Sequence, residues 1–233
     1  MAELWRKLDR AFNPKVLVVV GDKAINEYEW LKSYQGFTGK LYSVQIDERE
    51  IPGIEALGIT NYKSIKEIPE PIDHVLFAVP RQVSPYVLAD CIEIGAGSVC
   101  LFTSGFAETG EPAALELQAK ITQMAIEAQM PLIGPNCMGI YVPKLGIRQG
   151  WHEQPLDSGP VGLISQSGTH SMFVASLMQN NGIGISKGVS IGNSVILDAS
   201  DYVEYLAEDP ETEIIAGYIE GVRNGQRPRI ARW

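Results

Sequence analysis

Cysteine and histidine are scarce in this chain, and their scarcity excludes several classes of protein. Its three cysteines, Cys91, Cys100 and Cys137, have no C-x-x-C spacing, which argues against a disulfide framework or a zinc site. We expect them to be small core residues. The three histidines form no metal-binding pattern with other residues, so no metal site is predicted.

Basic residues are also in short supply. The 28 acidic residues outnumber the 19 basic ones, for a net charge of -9, which argues against nucleic acid or an anionic membrane as a partner. A phosphate-bearing ligand must then be bound locally, by backbone N–H groups and a few Lys or Arg side chains. No apolar run is long enough to span a bilayer, and the charged first 14 residues do not resemble a signal peptide. The expected location is the cytoplasm.

Short apolar runs rich in β-branched residues alternate with segments of helical periodicity in the first part of the chain. Strands are predicted over residues 16–20, 41–46, 74–79, 98–102 and 131–133, and helices over 26–34, 85–94 and 112–129. Continuous apolar strands separated by helices indicate a parallel sheet covered on both faces, in a doubly wound α/β fold. Its ligand is expected at the carboxyl ends of the strands.

The alternation resumes after a segment rich in proline and glycine. We predict a first domain over residues 1–142, a connector over 143–159 and a second domain over 160–233. In the second domain, strands are predicted over 161–165, 184–191 and 213–219, and helices over 169–180 and 199–207. This set leaves an unprotected sheet edge, so we expect the second domain to be incomplete and the protein to associate with a partner or form an oligomer.

The turns after the first-domain strands are candidate ligand contacts. The first, Gly21-Asp22-Lys23, has one glycine where the dinucleotide fingerprint needs three, so it is weak evidence for NAD. Asp47, after the second strand, is either a ribose ligand or a solvated turn residue. Arg81 follows a strand-ending proline and suits a phosphate or carboxylate, although a surface Arg needs no ligand. Gly105 lets a ligand approach the backbone closely.

The strongest local signal is in the second domain, where a strand runs into Ser167-Gly168-Thr169 at a predicted helix start. Free N–H groups and the helix dipole favour an anion there, although an ordinary serine cap explains the same residues without a ligand. A hydrolase with Ser167 as nucleophile and His170 as base is rejected. The motif G-x-S-x-G is absent, and a base three residues along the same helix is poorly oriented.

Five sequence blocks together resemble the NDP-forming acyl-CoA synthetases, with the alpha subunit of succinyl-CoA synthetase as a more distant relative. The blocks are FAETG (106–110), LIGPNCMG (132–139), LISQSG (163–168), VSIGN (189–193) and DYVEYLAEDPET (201–212). In order and spacing, the resemblance covers residues 13–225. It implies a Rossmann-like doubly wound CoA-binding domain followed by an incomplete flavodoxin-like ligase domain.

The resemblance also implies roles for individual residues. Ser167, Gly168 and Thr169 match the helix start that holds the phosphate of a phosphohistidine. Glu220 matches the carboxylate that orients that histidine. CoA is expected to contact residues at the strand ends of the first domain, namely Gly21, Asp22, Lys23, Val44, Gln45, Ile46, Val79, Pro80, Arg81, Thr103, Ser104, Gly105 and Asn136.

The implied reaction joins a small carboxylic acid to CoA, with phosphate passing from ATP through the phosphohistidine to an acyl phosphate. The family histidine is expected beyond the end of this sequence. An ATP-grasp domain or beta subunit is expected to bind ATP, ADP and Mg2+. The first loop lacks the family's extra glycines, and Val44-Gln45-Ile46 replaces the usual Val-Asn-Pro. Two alternatives remain, a non-catalytic sensor of CoA or acyl-CoA and an NAD-dependent oxidoreductase.

Overall fold

A computed structural model describes residues 8–150 and 153–221. The first part is a six-stranded parallel sheet with strand order β3-β2-β1-β4-β5-β6. This is the doubly wound order, in which strands are added outward in one direction from β1 to β3 and in the other from β4 to β6, and it confirms the predicted fold class. The strands are β1 (Val16–Val20), β2 (Lys40–Val44), β3 (Thr60–Tyr62), β4 (His74–Phe77), β5 (Val99–Leu101) and β6 (Leu132–Ile133).

Helices cover both faces of this sheet, as the apolar strands require. The helices are α1 (Glu29–Ser33), α2 (Ile51–Ala56), α3 (Ser84–Glu93) and α4 (Pro112–Glu127). Alternate side chains of β1 enter different cores. Leu17 and Val19 pack on the side of α1 and α2, whereas Val18 packs on the side of α3 and α4.

The second part is a four-stranded sheet with order β10-β8-β9-β7. Its strands are β7 (Gly139–Tyr141), β8 (Val161–Ser165), β9 (Ile185–Ser190) and β10 (Ile214–Tyr218), with helices α5 (Gly168–Asn180) and α6 (Ala199–Glu208). Helix α6 packs against the first part of the chain, and the rings of Phe12 and Tyr205 stack with centroids 5.0 Å apart. The two sheets therefore share one continuous core. No helix in the described ranges is long and apolar enough to cross a bilayer.

The structure adds elements that the periodicity did not predict, namely α2, β3 and β7. Strand β7 pairs antiparallel with β9 and so lies in the second sheet, although it falls within the residues predicted for the first domain. The segment after it is ordered by buried polar contacts. Gln149 donates to the carbonyl of Gly139 at 2.7 Å and accepts from Ser171 Oγ at 2.7 Å. The domain boundaries stay a prediction.

The three cysteines are free and buried, as expected of core residues. Cys100 and Cys137 lie side by side, with their sulfur atoms 3.6 Å apart.

Candidate functional site

An open cleft of about 530 Å³ lies where the carboxyl ends of β5 and β8 face each other. Both sheets contribute to it, so turns that are far apart in sequence share one space. The residues around the cleft are Phe102, Ser104, Glu108, Asn136, Cys137, Met138, Gln166, Ser167, Gly168, Thr169, Gly192, Asn193 and Glu220. Six of the residues singled out from the sequence are among them: Ser104, Asn136, Ser167, Gly168, Thr169 and Glu220.

One wall of the cleft is the start of α5. Ser167 is the N-cap of this helix, and its hydroxyl accepts a hydrogen bond from the backbone N–H of His170 at 3.3 Å. A Cβ on Gly168 would lie 2.8 Å from Met138 Cγ, so only glycine fits without displacing that side chain. The cap leaves further N–H groups of the first turn for an anion in the cleft.

His170 also contacts the cap residue through its side chain. Its Nδ1 lies 2.9 Å from Ser167 Oγ, and its ring stacks on Tyr218 with centroids 4.3 Å apart. Within residues 8–150 and 153–221, no hydrogen bond or ion pair joins a carboxylate to this ring. A serine and a histidine therefore meet without the orienting acid of a hydrolase triad.

Glu220 reaches the cleft from the end of β10. The side-chain oxygen of Gln166 accepts from the backbone N–H of Glu220 at 2.8 Å and from that of Gly221 at 3.0 Å. Because Gln166 directly precedes the N-cap of α5, the same short segment anchors both the helix start and the chain around Glu220.

The predicted CoA contacts of the first sheet form a connected edge beside the cleft. Gln45 Nε2 donates to the carbonyl of Asp22 at 3.0 Å, which joins the first two turns. Thr103 Oγ1 donates to the carbonyl of Val79 at 2.7 Å, and the backbone N–H of Asn136 donates to the carbonyl of Thr103 at 3.0 Å. The edge leads from the β4 end to Asn136 in the cleft.

Several predicted contacts on this edge are accessible. Lys23, Ile46 and Pro80 are exposed, whereas Val44 is buried. Gly21 has a φ of +88°, and a Cβ on it would lie 2.4 Å from Val79 Cγ1, so the first turn packs tightly on the end of β4.

Arg81 is already engaged at this edge. Its guanidinium donates to the carbonyl of Gly105 through Nη1 and pairs with Glu111 through Nη2 at 3.0 Å. Its side chain remains about a quarter exposed, at 26%. Arg81 therefore supports the turn after β5 and can still meet an anion from solvent.

Asp22 joins the first turn to the start of α1 through its side chain. Its carboxylate accepts from the N–H of Lys23 at 3.0 Å and from that of Leu31 at 2.9 Å. One amide of α1 is thus bound to a side chain of the protein and is not available to a phosphate. Asp47 pairs with Arg49 at 2.7 Å, in keeping with a turn residue.

Burial raises the pKa of Asp22 to about 6, although hydrogen bonds from the N–H groups of Leu31 and Lys23 partly oppose the shift. A folded-state pKa above the ordinary value of 3.8 means that Asp22 favours folding at low pH. This contribution is complete below the ordinary value and is lost as the pH rises through about 6.

We therefore expect the stability of the wild type relative to Asp22→Asn to depend on pH. The difference in free energy of unfolding should shift in favour of the wild type by roughly 1–2 kcal/mol at pH 5 compared with pH 8. Urea denaturation of both proteins at the two pH values measures it. An equal difference at both pH values would show that Asp22 titrates normally.

Several residues of the cleft were not predicted from the sequence, including Phe102, Glu108, Gln166, Gly192 and Asn193. Four of these five lie inside or beside quoted sequence blocks, and Phe102 ends a predicted strand. The sequence blocks therefore already contained most of these residues, although none of them was predicted as a site residue. Residue type alone did not show that Asn193, in the loop after β9, meets Glu108, in the turn after β5, at 2.5 Å between Nδ2 and Oε2.

Two family models match successive stretches of this chain. Residues 17–143 match the model of a CoA binding domain, and residues 158–230 match the model of a succinyl-CoA ligase like flavodoxin domain. The chain belongs to the NDP-forming acyl-CoA synthetase family. This membership confirms the resemblance inferred from the five sequence blocks.

Two curated relatives of the family cover almost all of this chain. The alpha subunit of ADP-forming acetate–CoA ligase II from Pyrococcus furiosus is 37% identical over 228 residues, covering 94% of this chain and 48% of the relative. ADP-forming acetate–CoA ligase I from Archaeoglobus fulgidus is 32% identical over 231 residues, covering 97% of this chain and 33% of the relative. The chain thus spans half or less of the relatives' length.

Solved structures give the same result. A protein from Pyrococcus horikoshii OT3 matches with a TM-score of 0.84 and 36% identity, covering 94% of this chain and 50% of that one. The dinucleotide forming acetyl-coenzyme A synthetase 1 of Ca. Korarchaeum cryptofilum, in complex with phosphate and ADP, matches with a TM-score of 0.82 and 30% identity. That match covers 94% of this chain and 46% of the synthetase.

Proposed function

We propose that this chain is the CoA-binding portion of an NDP-forming acyl-CoA synthetase, which converts a small carboxylic acid, CoA and ATP to acyl-CoA, ADP and phosphate. The observation that carries the proposal is the shared cleft. Ser104, at the end of the predicted CoA edge, and Ser167, Gly168 and Thr169, at a helix start suited to phosphate, line the same space. A thiol and an acyl phosphate must meet in such a space to react.

In this proposal CoA lies along the edge of the first sheet. Lys23 and Arg81 supply positive charge for its phosphates, and the exposed Ile46 and Pro80 offer apolar contact. The pantetheine arm runs past Thr103 and Gly105, so that the thiol enters the cleft at Ser104 and Asn136. The glycine at this turn allows the arm to approach the backbone closely.

The opposite wall holds the transferred phosphate. The N–H groups at Ser167, Gly168 and Thr169 offset its negative charge. Glu220 accepts a hydrogen bond from the imidazole of the family histidine, which is none of the three histidines of this sequence, and so fixes its tautomer for attack by the other nitrogen. We further propose that an ATP-grasp domain or beta subunit binds ATP, ADP and Mg2+, and that the assembly is an oligomer in the cytoplasm.

A non-catalytic sensor of CoA or acyl-CoA is the second candidate. The first turn favours it, because it departs from the family's glycine pattern and its Asp22 binds two backbone amides of this chain. Such a sensor needs the CoA edge but not the phosphate wall, so the two candidates differ in their response to phosphate. An NAD-dependent oxidoreductase, the third, has only the weak first-loop signal in its favour.

Isothermal titration calorimetry of the chain with CoA, acetyl-CoA, NAD and inorganic phosphate tests the proposal. We expect binding of CoA and of phosphate and no binding of NAD. Ser167→Glu is the matched variant, because a carboxylate at the helix start competes with phosphate. Its affinity for phosphate should fall by about ten-fold or more, and its affinity for CoA should stay unchanged. Binding of NAD without CoA would overturn the proposal, and CoA binding without phosphate binding would favour the sensor.

A further inference from the structure

The turn that follows β5 is held by the carboxylate of Glu108. One oxygen, Oε1, accepts from the backbone N–H of Gly105 at 2.6 Å and from that of Phe106 at 3.1 Å. Gly105 has a φ of +90°, and its carbonyl accepts from Arg81. The peptide groups on both sides of this glycine are therefore fixed by charged side chains.

The other oxygen of Glu108 bonds to the second sheet. Asn193, in the loop after β9, donates from Nδ2 to Glu108 Oε2 at 2.5 Å and to Gln118 Oε1 at 2.9 Å. Its backbone N–H donates to the carbonyl of Pro135 at 2.9 Å. Asn193 thus bonds to three separate segments of the first part of the chain, although it follows a strand of the second sheet.

The electrostatics keep this contact strong. Burial alone would raise the pKa of Glu108, but hydrogen bonds from Asn193 and from nearby backbone N–H groups bring it below its usual range. Glu108 is therefore ionised at neutral pH, and its bonds to Gly105 and Asn193 are charge-assisted. Without the Asn193 bond, only the N–H groups of Gly105 and Phe106 would orient the carboxylate against the turn.

We propose that Asn193 is a positioning residue for CoA, acting through Glu108 to hold the turn of Ser104 and Gly105 in the conformation that receives the pantetheine arm. The inference rests on the proposed function and deepens it, because the second sheet then helps to set the affinity of the first for CoA. Asn193 need not touch CoA itself.

Asn193→Asp tests the proposal, because it places a second carboxylate against Glu108. We expect CoA binding to weaken by about ten-fold and hydrogen exchange at the amides of Gly105 and Phe106 to quicken by about ten-fold. Calorimetry and amide exchange measured by NMR report the two effects. Asn180→Asp is the matched control, because it adds the same charge at an exposed position of α5 and should change neither.

The reciprocal double variant separates positioning from general damage. In Glu108→Gln with Asn193→Asp, the glutamine oxygen still accepts from Gly105 while its amide donates to the new aspartate. We expect CoA affinity and exchange protection to return to within about three-fold of the wild type. If Asn193→Asp fails to fold, Asn193→Ala with the same two measurements replaces it.

A folded Asn193 variant with unchanged exchange at Gly105 and Phe106 would overturn the inference, as would a double variant that binds CoA no better than Asn193→Asp alone. Failure of the proposed function has a different signature, because the wild type itself would then not bind CoA. The exchange measurement needs no CoA and still tests the contact between Asn193 and Glu108 in that case.

Discussion

Replacement of Lys187 by methionine is expected to lower the free energy of unfolding by about 3–5 kcal/mol. Lys187 lies on β9 with only 2% of its side chain exposed, and its ammonium donates to Asp209 Oδ1 at 2.8 Å and to Glu211 Oε2 at 3.0 Å. Asp209 is also buried, with 7% of its side chain exposed. Methionine fills a similar volume but leaves the Asp209 carboxylate without its counter-charge. An unpaired buried charge is strongly destabilising.

Lys144→Met is the matched control for this prediction. Lys144 pairs with the same Glu211, but 60% of its side chain is exposed, so we expect its replacement to cost less than about 1 kcal/mol. Urea denaturation of both variants at neutral pH gives the comparison. Equal losses in the two variants would show that burial adds nothing to the Lys187 pair.

Gly192→Ala is expected to destabilise the protein by roughly 3 kcal/mol or more, through strain and overpacking together, and to weaken CoA binding. Gly192 has a φ of +53°, and a Cβ there would lie 2.3 Å from the carbonyl oxygen of Pro135 and 2.4 Å from that of Asn136. The obstructing atoms are backbone, so the loop after β9 has to move away from the first sheet. That movement also withdraws Asn193 from Glu108.

Gly182→Ala provides the control, because Gly182 has a similar left-handed backbone with a φ of +76°, and a Cβ added there would have open space within 4 Å. It should cost only the conformational penalty of about 1 kcal/mol. Thermal unfolding and CoA calorimetry of the two variants measure the effects. If Gly192→Ala is no worse than Gly182→Ala, the close approach of the two sheets at Gly192 is not important.

The strands with dense apolar character were predictable from sequence. Residues 16–20 and 161–165 were predicted as strands and are strands with those bounds, because a buried parallel strand is apolar along its whole length. Strand β3 was missed because it is short, polar and partly exposed. Strand β7 was missed because a three-residue segment that starts with glycine has no periodicity to detect.

In the candidate site, too, features with a local sequence signal were predictable and contacts between distant residues were not. The helix start at Ser167 was recognisable because a serine cap and the residues after it are adjacent in sequence. The hydrogen bond from the Leu31 N–H to the Asp22 carboxylate was not recognisable, since the sequence of a turn does not show which amides a carboxylate in it will accept from. The same holds for Gln166, whose side chain anchors a segment 54 residues away.

The sequence by itself determined the doubly wound α/β class, the family and the helix start at Ser167, because strand burial, helix periodicity and capping are written in neighbouring residues. Only the tertiary structure decided that β7 joins the second sheet and that Asn193 reaches Glu108, a contact between residues 85 positions apart. The physical reason is that such contacts depend on how both sheets pack around one shared core, and no local pattern encodes that packing.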